Sequence, residues 1–220
     1  MPPTDFAGAW QYALLRLDGE LSPLLTYHCV AHTRDDVLPA AKRLAAMEQV
    51  GKKDLNLLLT AVWFHDIGFV ENLATDHEAV GIRIVTEVLP RYGFNPAQIR
   101  AVRDLIQVTK IPQSPTTHLE EIMADADLDL LGRDDFLALN QALRAETAAL
   151  GKSTTDEEWY MGQVAFLQTH CYFTDSARFL RAAGKKQNIE KLIKLLEQCR
   201  DPASGDLPQS AEAGNYAFDR

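Results

Sequence analysis

Apolar residues recur at three- to four-residue intervals through most of this 220-residue chain, the spacing of one buried helix face. Phe6, Trp10, Leu14 and Leu17 mark a first helix over residues 5–18, followed by a turn at Asp18-Gly19 and a break at Ser22-Pro23. A long helix is predicted from Leu24 to Val50, with Pro39 as a kink or break. Residues 55–67 are almost wholly apolar and predict a central buried helix that stops at Gly68. Helices are also predicted over 76–92, over 96–108 with Pro96 in the first turn, over 118–131 and over 133–150. Ser153-Thr-Thr-Asp-Glu-Glu reads as an N-terminus opening a helical segment to Ala183, and 188–199 is the last helix. Residues 110–117, KIPQSPTT, form a Pro-rich loop. With no alternating strand pattern, hairpin dipeptide or internal repeat, the expectation is an all-α, compact multi-helix bundle. One domain over 1–200 suffices, with a loosely ordered tail over 201–220 rich in Pro, Ser, Gly and Ala.

Composition narrows the setting. An apolar content of 46% is enough for a proper core, and no apolar run is long enough to span a bilayer. The N-terminus, MPPTDFAGAW, lacks a basic region followed by an apolar stretch, so no secretory signal is read there. Three scattered cysteines, Cys29, Cys171 and Cys199, argue against a disulfide framework and for a reducing, cytoplasmic setting. A formal charge of −9 makes duplex nucleic acid an improbable partner. A small phosphate ester stays compatible, since a bound cation reverses the local potential of an acidic protein.

Against this background a few polar residues stand out. His28 and His32 lie four apart in Tyr-His-Cys-Val-Ala-His, on one face if that stretch is helical. His65 and Asp66 end the most apolar helix, where a carboxylate without a cation or donors is costly. Asp125, Asp127 and Asp129 are spaced by two, so one helix cannot aim all three at one point. Neutral imidazoles with hard carboxylates suit a divalent cation such as Zn, Mn, Fe or Mg. Lys110 precedes a loop and can reach a phosphate; Glu71, five residues after Asp66, can orient a water. His170, Tyr172 and Arg178 mix aromatic and donor groups suited to a base or phosphate pocket, although the same stretch also reads as an amphipathic helix.

The ordered set His32, His65-Asp66 and the acidic stretch resembles the HD superfamily of metal-dependent phosphohydrolases, over residues 24–135, with 136–200 a helical extension. The resemblance implies His32, His65, Asp66 and Asp127 as metal ligands. Asp127 is chosen over Asp125 because only Ala126-Asp127-Leu128 supplies the apolar residue that follows the acid in the family pattern. Asp76-His77-Glu78-Ala79-Val80-Gly81 resembles the element that supplies a second-metal ligand in dinuclear members. The further histidine of those members is replaced by Thr109, with His118 a possible substitute, and their lysine after the His-Asp pair is replaced by Phe69. Phosphodiesterases of the superfamily use the first histidine of a His-x-x-x-His pair as the acid, a place His28 fills. The implied activity is metal-dependent hydrolysis of a small phosphorylated substrate, such as a nucleotide, by a metal-activated water. A di-iron oxygenase and a non-catalytic ligand-sensing module are the alternatives.

Overall fold

The computed structural model describes residues 3–73 and 76–200. Asp5 accepts the Gly8 N–H and caps helix α1, Phe6–Glu20. The inner face of α1 is Ala9, Ala13 and Leu17, small enough for close approach to α3, Lys52–Phe64. In α3 seven consecutive residues, Leu58 to Phe64, are buried. A helix that is apolar all round belongs at the centre of a fold. Around it pack α1, α2 (Leu38–Met47), α5 (Pro96–Gln107) and α6 (His118–Asp127). Truncating a fully buried residue such as Phe64 to alanine costs about 3–5 kcal/mol. The capping box of Asn95 and Gln98 starts α5.

The other helices are α4 (His77–Val88), α7 (Phe136–Ala149), α8 (Asp156–Thr169) and α9 (Asp175–Arg200). No strand occurs among the described residues, so the fold is all-α as expected. A single cluster of buried apolar side chains runs from Ala9 to Leu192. No helix among the described residues is long and apolar enough to cross a membrane. The expected tail, 201–220, lies outside the described residues.

Three local expectations are corrected. First, the chain from Ser22 to Cys29 is not helical, so His28 is not a turn below His32 on a common helix. Helical structure starts at Val30 and widens into a π-helical turn over His32–Val37, in which the Leu38 N–H reaches back five residues to the Thr33 carbonyl. Pro39 then sits in the first turn of α2, where its missing N–H is not needed, and breaks nothing. Second, the C-terminal break falls at His170–Thr174 rather than after Ala183. Asp125 sets it, accepting from the backbone N–H groups of Phe173 and Thr174 and from the Thr174 hydroxyl, at 2.7–2.8 Å. Gly184 passes through the middle of α9, because a Cβ there would meet the Gly132 carbonyl oxygen at 2.1 Å. Third, Gly68 does not end structure. The chain continues in a tight turn over Ile67–Val70, and a Cβ at Gly68 would meet the His77 carbonyl oxygen at 1.9 Å. This glycine lets the start of α4 lie against the His-Asp pair.

Candidate metal centre and cleft

Four side chains from three places converge. His32 comes from the π-helical turn, His65 and Asp66 follow the last residue of α3, and Asp127 is the last residue of α6. His65 Nε2 lies 3.1 Å from Asp66 Oδ2 and 3.4 Å from Asp127 Oδ1. His32 Nε2 lies 3.6 Å from Asp127 Oδ1 and 3.8 Å from Asp66 Oδ2. One donor atom each from His32, His65 and Asp66 lies within 4.8 Å of the others, and all three residues are buried.

The hydrogen bonding fits a cation at the point of convergence. His65 Nδ1–H donates to the Val62 carbonyl at 2.8 Å, which leaves a lone pair on Nε2. Buried His65 Nε2 and Asp66 Oδ2 have no hydrogen-bond partner among the described residues. Such atoms are costly without an electrophile or donor between them. Behind His32, Asp36 Oδ2 stands 3.8 Å from Nδ1, and Arg133 holds Asp36 in turn.

His32, Asp66 and Asp127 line a cleft of about 590 Å³. His28, His77, Thr109 and Lys110 also line it. His77 Nε2 is 3.4 Å from Asp66 Oδ1, and its ring stacks on Phe69 with centroids 3.9 Å apart. His28 Nδ1 makes a short contact with the buried Glu146 carboxylate, which also accepts the backbone N–H groups of Tyr27 and His28. Its ring centre is 5.9 Å from that of His32. Glu146 lies 118 residues from His28 and carries no local signal in the sequence.

No protein-family model matches the chain. No curated protein matches it. Its structure is similar to the crystal structure of a predicted HD superfamily hydrolase from an uncultured Thermotogales bacterium, with a TM-score of 0.54 over 88% of this chain and 90% of that one, at 18% sequence identity. The chain shares the all-α fold of that protein.

Within this fold the charges of the cluster hold one another. Burial disfavours charge on His32, yet Asp127, Asp36 and Asp66 outweigh it and raise the imidazole to about 9. His65 is likewise raised despite its burial, by Asp66 and Asp127. Burial opposes ionisation of Asp127, but the two imidazoles bring it down to about 2. Burial acts on Asp66 in the same sense and is outweighed by His65 and His77.

Several residues singled out in the sequence lie elsewhere. Asp125 is fully buried and spends both oxygens on the 173–174 backbone and the Thr174 hydroxyl. Asp129 is buried between Arg43 and Arg181. Glu71 pairs with Arg83 on the surface and does not line the cleft, because the turn after Asp66 carries it outward. His118 is exposed and pairs with Glu48 and Glu121, so it does not replace the histidine missing at Thr109. His170 and Tyr172 lie in the break between α8 and α9 and Arg178 in the first turn of α9, none of them in the cleft. Arg178 there donates to the Tyr172 and Phe173 carbonyls and to Asp175, while the rings of His170 and Tyr172 pack edge to face beside Lys185. Lys110 lines the cleft, paired with Asp76.

Proposed function

We propose that this HD-fold protein is a metal-dependent phosphohydrolase acting on a small phosphorylated substrate, a nucleotide or related metabolite, in a reducing compartment. The observation that carries the reading is the convergence of buried, unpartnered His65 Nε2 and Asp66 Oδ2 with His32 and Asp127 at an open cleft. In this reading His32, His65, Asp66 and Asp127 hold one divalent cation. When bound, the cation supplies hydroxide at neutral pH and offsets charge on the phosphoryl oxygens.

The chain's own groups do the rest. His28 faces the cleft with Nδ1 held by Glu146, so Nε2 is its atom for giving a proton to the leaving oxygen. Glu146 fixes the ring plane and supports positive charge on the ring, the role of an orienting carboxylate behind a catalytic histidine. Lys110 contributes a positive charge at the cleft for an anionic ester. His77, within reach of Asp66, steadies that carboxylate.

The test is a screen of phosphorylated metabolites and nucleotides against protein reconstituted with Mn, Fe, Zn or Mg, reading release of phosphate or of the free alcohol. Turnover that disappears in Asp127→Asn is expected. Fully loaded protein that cleaves no ester would overturn the proposal.

A further inference from the structure

The cleft is also lined by apolar side chains. Leu130, Leu131, Leu139, Leu143 and Phe166 contribute to its wall, together with Lys152 and two amides, Asn140 and Gln163. The polarity of those amides is fixed. Indole N–H is a donor only, and Trp159 Nε1 donates to Asn140 Oδ1 at 2.8 Å. Asn140 therefore presents Nδ2 to Gln163, and it donates to Gln163 Oε1 at 2.6 Å. Trp159 and Asn140 are both buried, at 8% and 2% exposure, so the relay is anchored in the core. Gln163 is left with its Nε2 hydrogens, for which the described residues supply no acceptor. The result is an oriented donor on an apolar wall. Such a wall penalises a hydroxyl-rich body, whose donors would go unpaired there.

We infer that the cleft selects phosphate esters whose organic part is largely apolar and carries a hydrogen-bond acceptor, which Gln163 reads through Nε2. This inference rests on the phosphohydrolase reading for the phosphate end and on the Trp159–Asn140–Gln163 relay for the other, and it narrows that reading from nucleotides and metabolites alike to the apolar-bodied metabolites among them. Gln163 is thus a specificity-determining residue, and it takes no part in the bond-breaking step. Its preference belongs in ground-state binding and so in KM.

The experiment uses two esters with alike leaving groups, 2-(4-acetylphenyl)ethyl phosphate and its isopropenyl isostere, with uridine 5′-phosphate as a hydroxyl-rich competitor. Metal-loaded wild-type protein is expected to favour the acetyl ester by about tenfold in kcat/KM, mostly in KM, the effect of one neutral hydrogen bond. Gln163→Glu keeps the acceptor for Asn140 and loses the donor, so the preference should vanish, read as the ratio of the two esters' kcat/KM within the variant, in which any general effect of the added charge cancels. Equal use of both esters, an unchanged preference in Gln163→Glu, or faster turnover of the uridine ester overturns the inference while leaving the hydrolase reading intact. Binding of the two parent alcohols, followed by calorimetry, separates the reverse case. If no ester is cleaved yet the acetyl alcohol binds about tenfold tighter to wild type alone, the cleft assignment stands and the hydrolase reading fails.

Discussion

Asp66 Oδ2 and His65 Nε2 lie 3.1 Å apart in the interior, and neither makes a hydrogen bond among the described residues. Adjacent residues at a helix end seldom point the same way. Here they do because the chain leaves helical geometry at Asp66 and turns tightly over Ile67–Val70. The neighbouring acids make the assignment testable. Asp127→Asn is expected to abolish metal binding, read as metal per chain by elemental analysis. Asp125→Asn is expected to keep the metal and lower stability by about 2–5 kcal/mol, since a buried carboxylate that accepts three hydrogen bonds loses its charge. The opposite pattern would exchange the two roles.

His77 touches only Asp66 Oδ1 within the cluster, at 3.4 Å, and the dinuclear partner position is Thr109, whose hydroxyl donates to the Ile106 carbonyl. His77→Ala should therefore retain most of one metal equivalent. Loss of all bound metal would move His77 into the primary set.

The His28–Glu146 contact predicts a dependence on the leaving group. His28→Ala should keep its metal and lose about 10²–10⁴-fold in turnover of esters with poor leaving groups. A nitrophenyl ester needs little protonation, and its loss should be much smaller. Glu146→Gln, which keeps an acceptor for the Tyr27 and His28 backbone, should show the same leaving-group pattern at reduced size. Equal losses on both ester types would remove His28 from the acid role.

Much of this was readable along the chain, and the exceptions share a cause. Continuous burial from Leu58 to Phe64 and the Asn95-Pro96 start of α5 are local signals, and both helices fall where periodicity puts them. The His-Asp pair is local as well. What periodicity cannot carry is long-range pairing. Glu146 meets His28 across 118 residues, Asp125 sets the break at 173–174, and Asp129 is matched by Arg43 and Arg181. Gly184 looks like a stop until its contact with Gly132 is known.

Metal binding should release protons. His32 is raised to about 9, with burial opposing and Asp127, Asp36 and Asp66 prevailing, and His65 is raised as well. A cation must therefore compete with protons for these imidazoles. Apparent affinity should thus fall as pH drops, by about tenfold per unit for each proton released. Calorimetric titration in two buffers of different ionisation enthalpy measures the number. No proton release at pH 7 would contradict the electrostatic account of the cluster.

His170 gives a separate acid effect. Burial, with a contribution from Lys185, lowers it from 6.5 to about 4. The unfolded chain takes up this proton first on acidification. Stability present above pH 6.5 is lost as pH falls through that window toward about 4. Replacing His170 with glutamine should flatten denaturation midpoints between those limits. A slope equal to wild type would show that other groups govern it.

The widened turn over His32–Val37 carries one residue more than an α-helix needs. Each residue of an α-helix advances the helix by about 100° and 1.5 Å. Deleting one residue from that turn would heal the backbone into ordinary helix and rotate everything before it by that angle. His32 would then face away from His65 while every hydrogen bond of the repaired helix was satisfied. Among descendants of this sequence, the stretch that looks most tolerant of a one-residue gap is therefore the one that can least accept it.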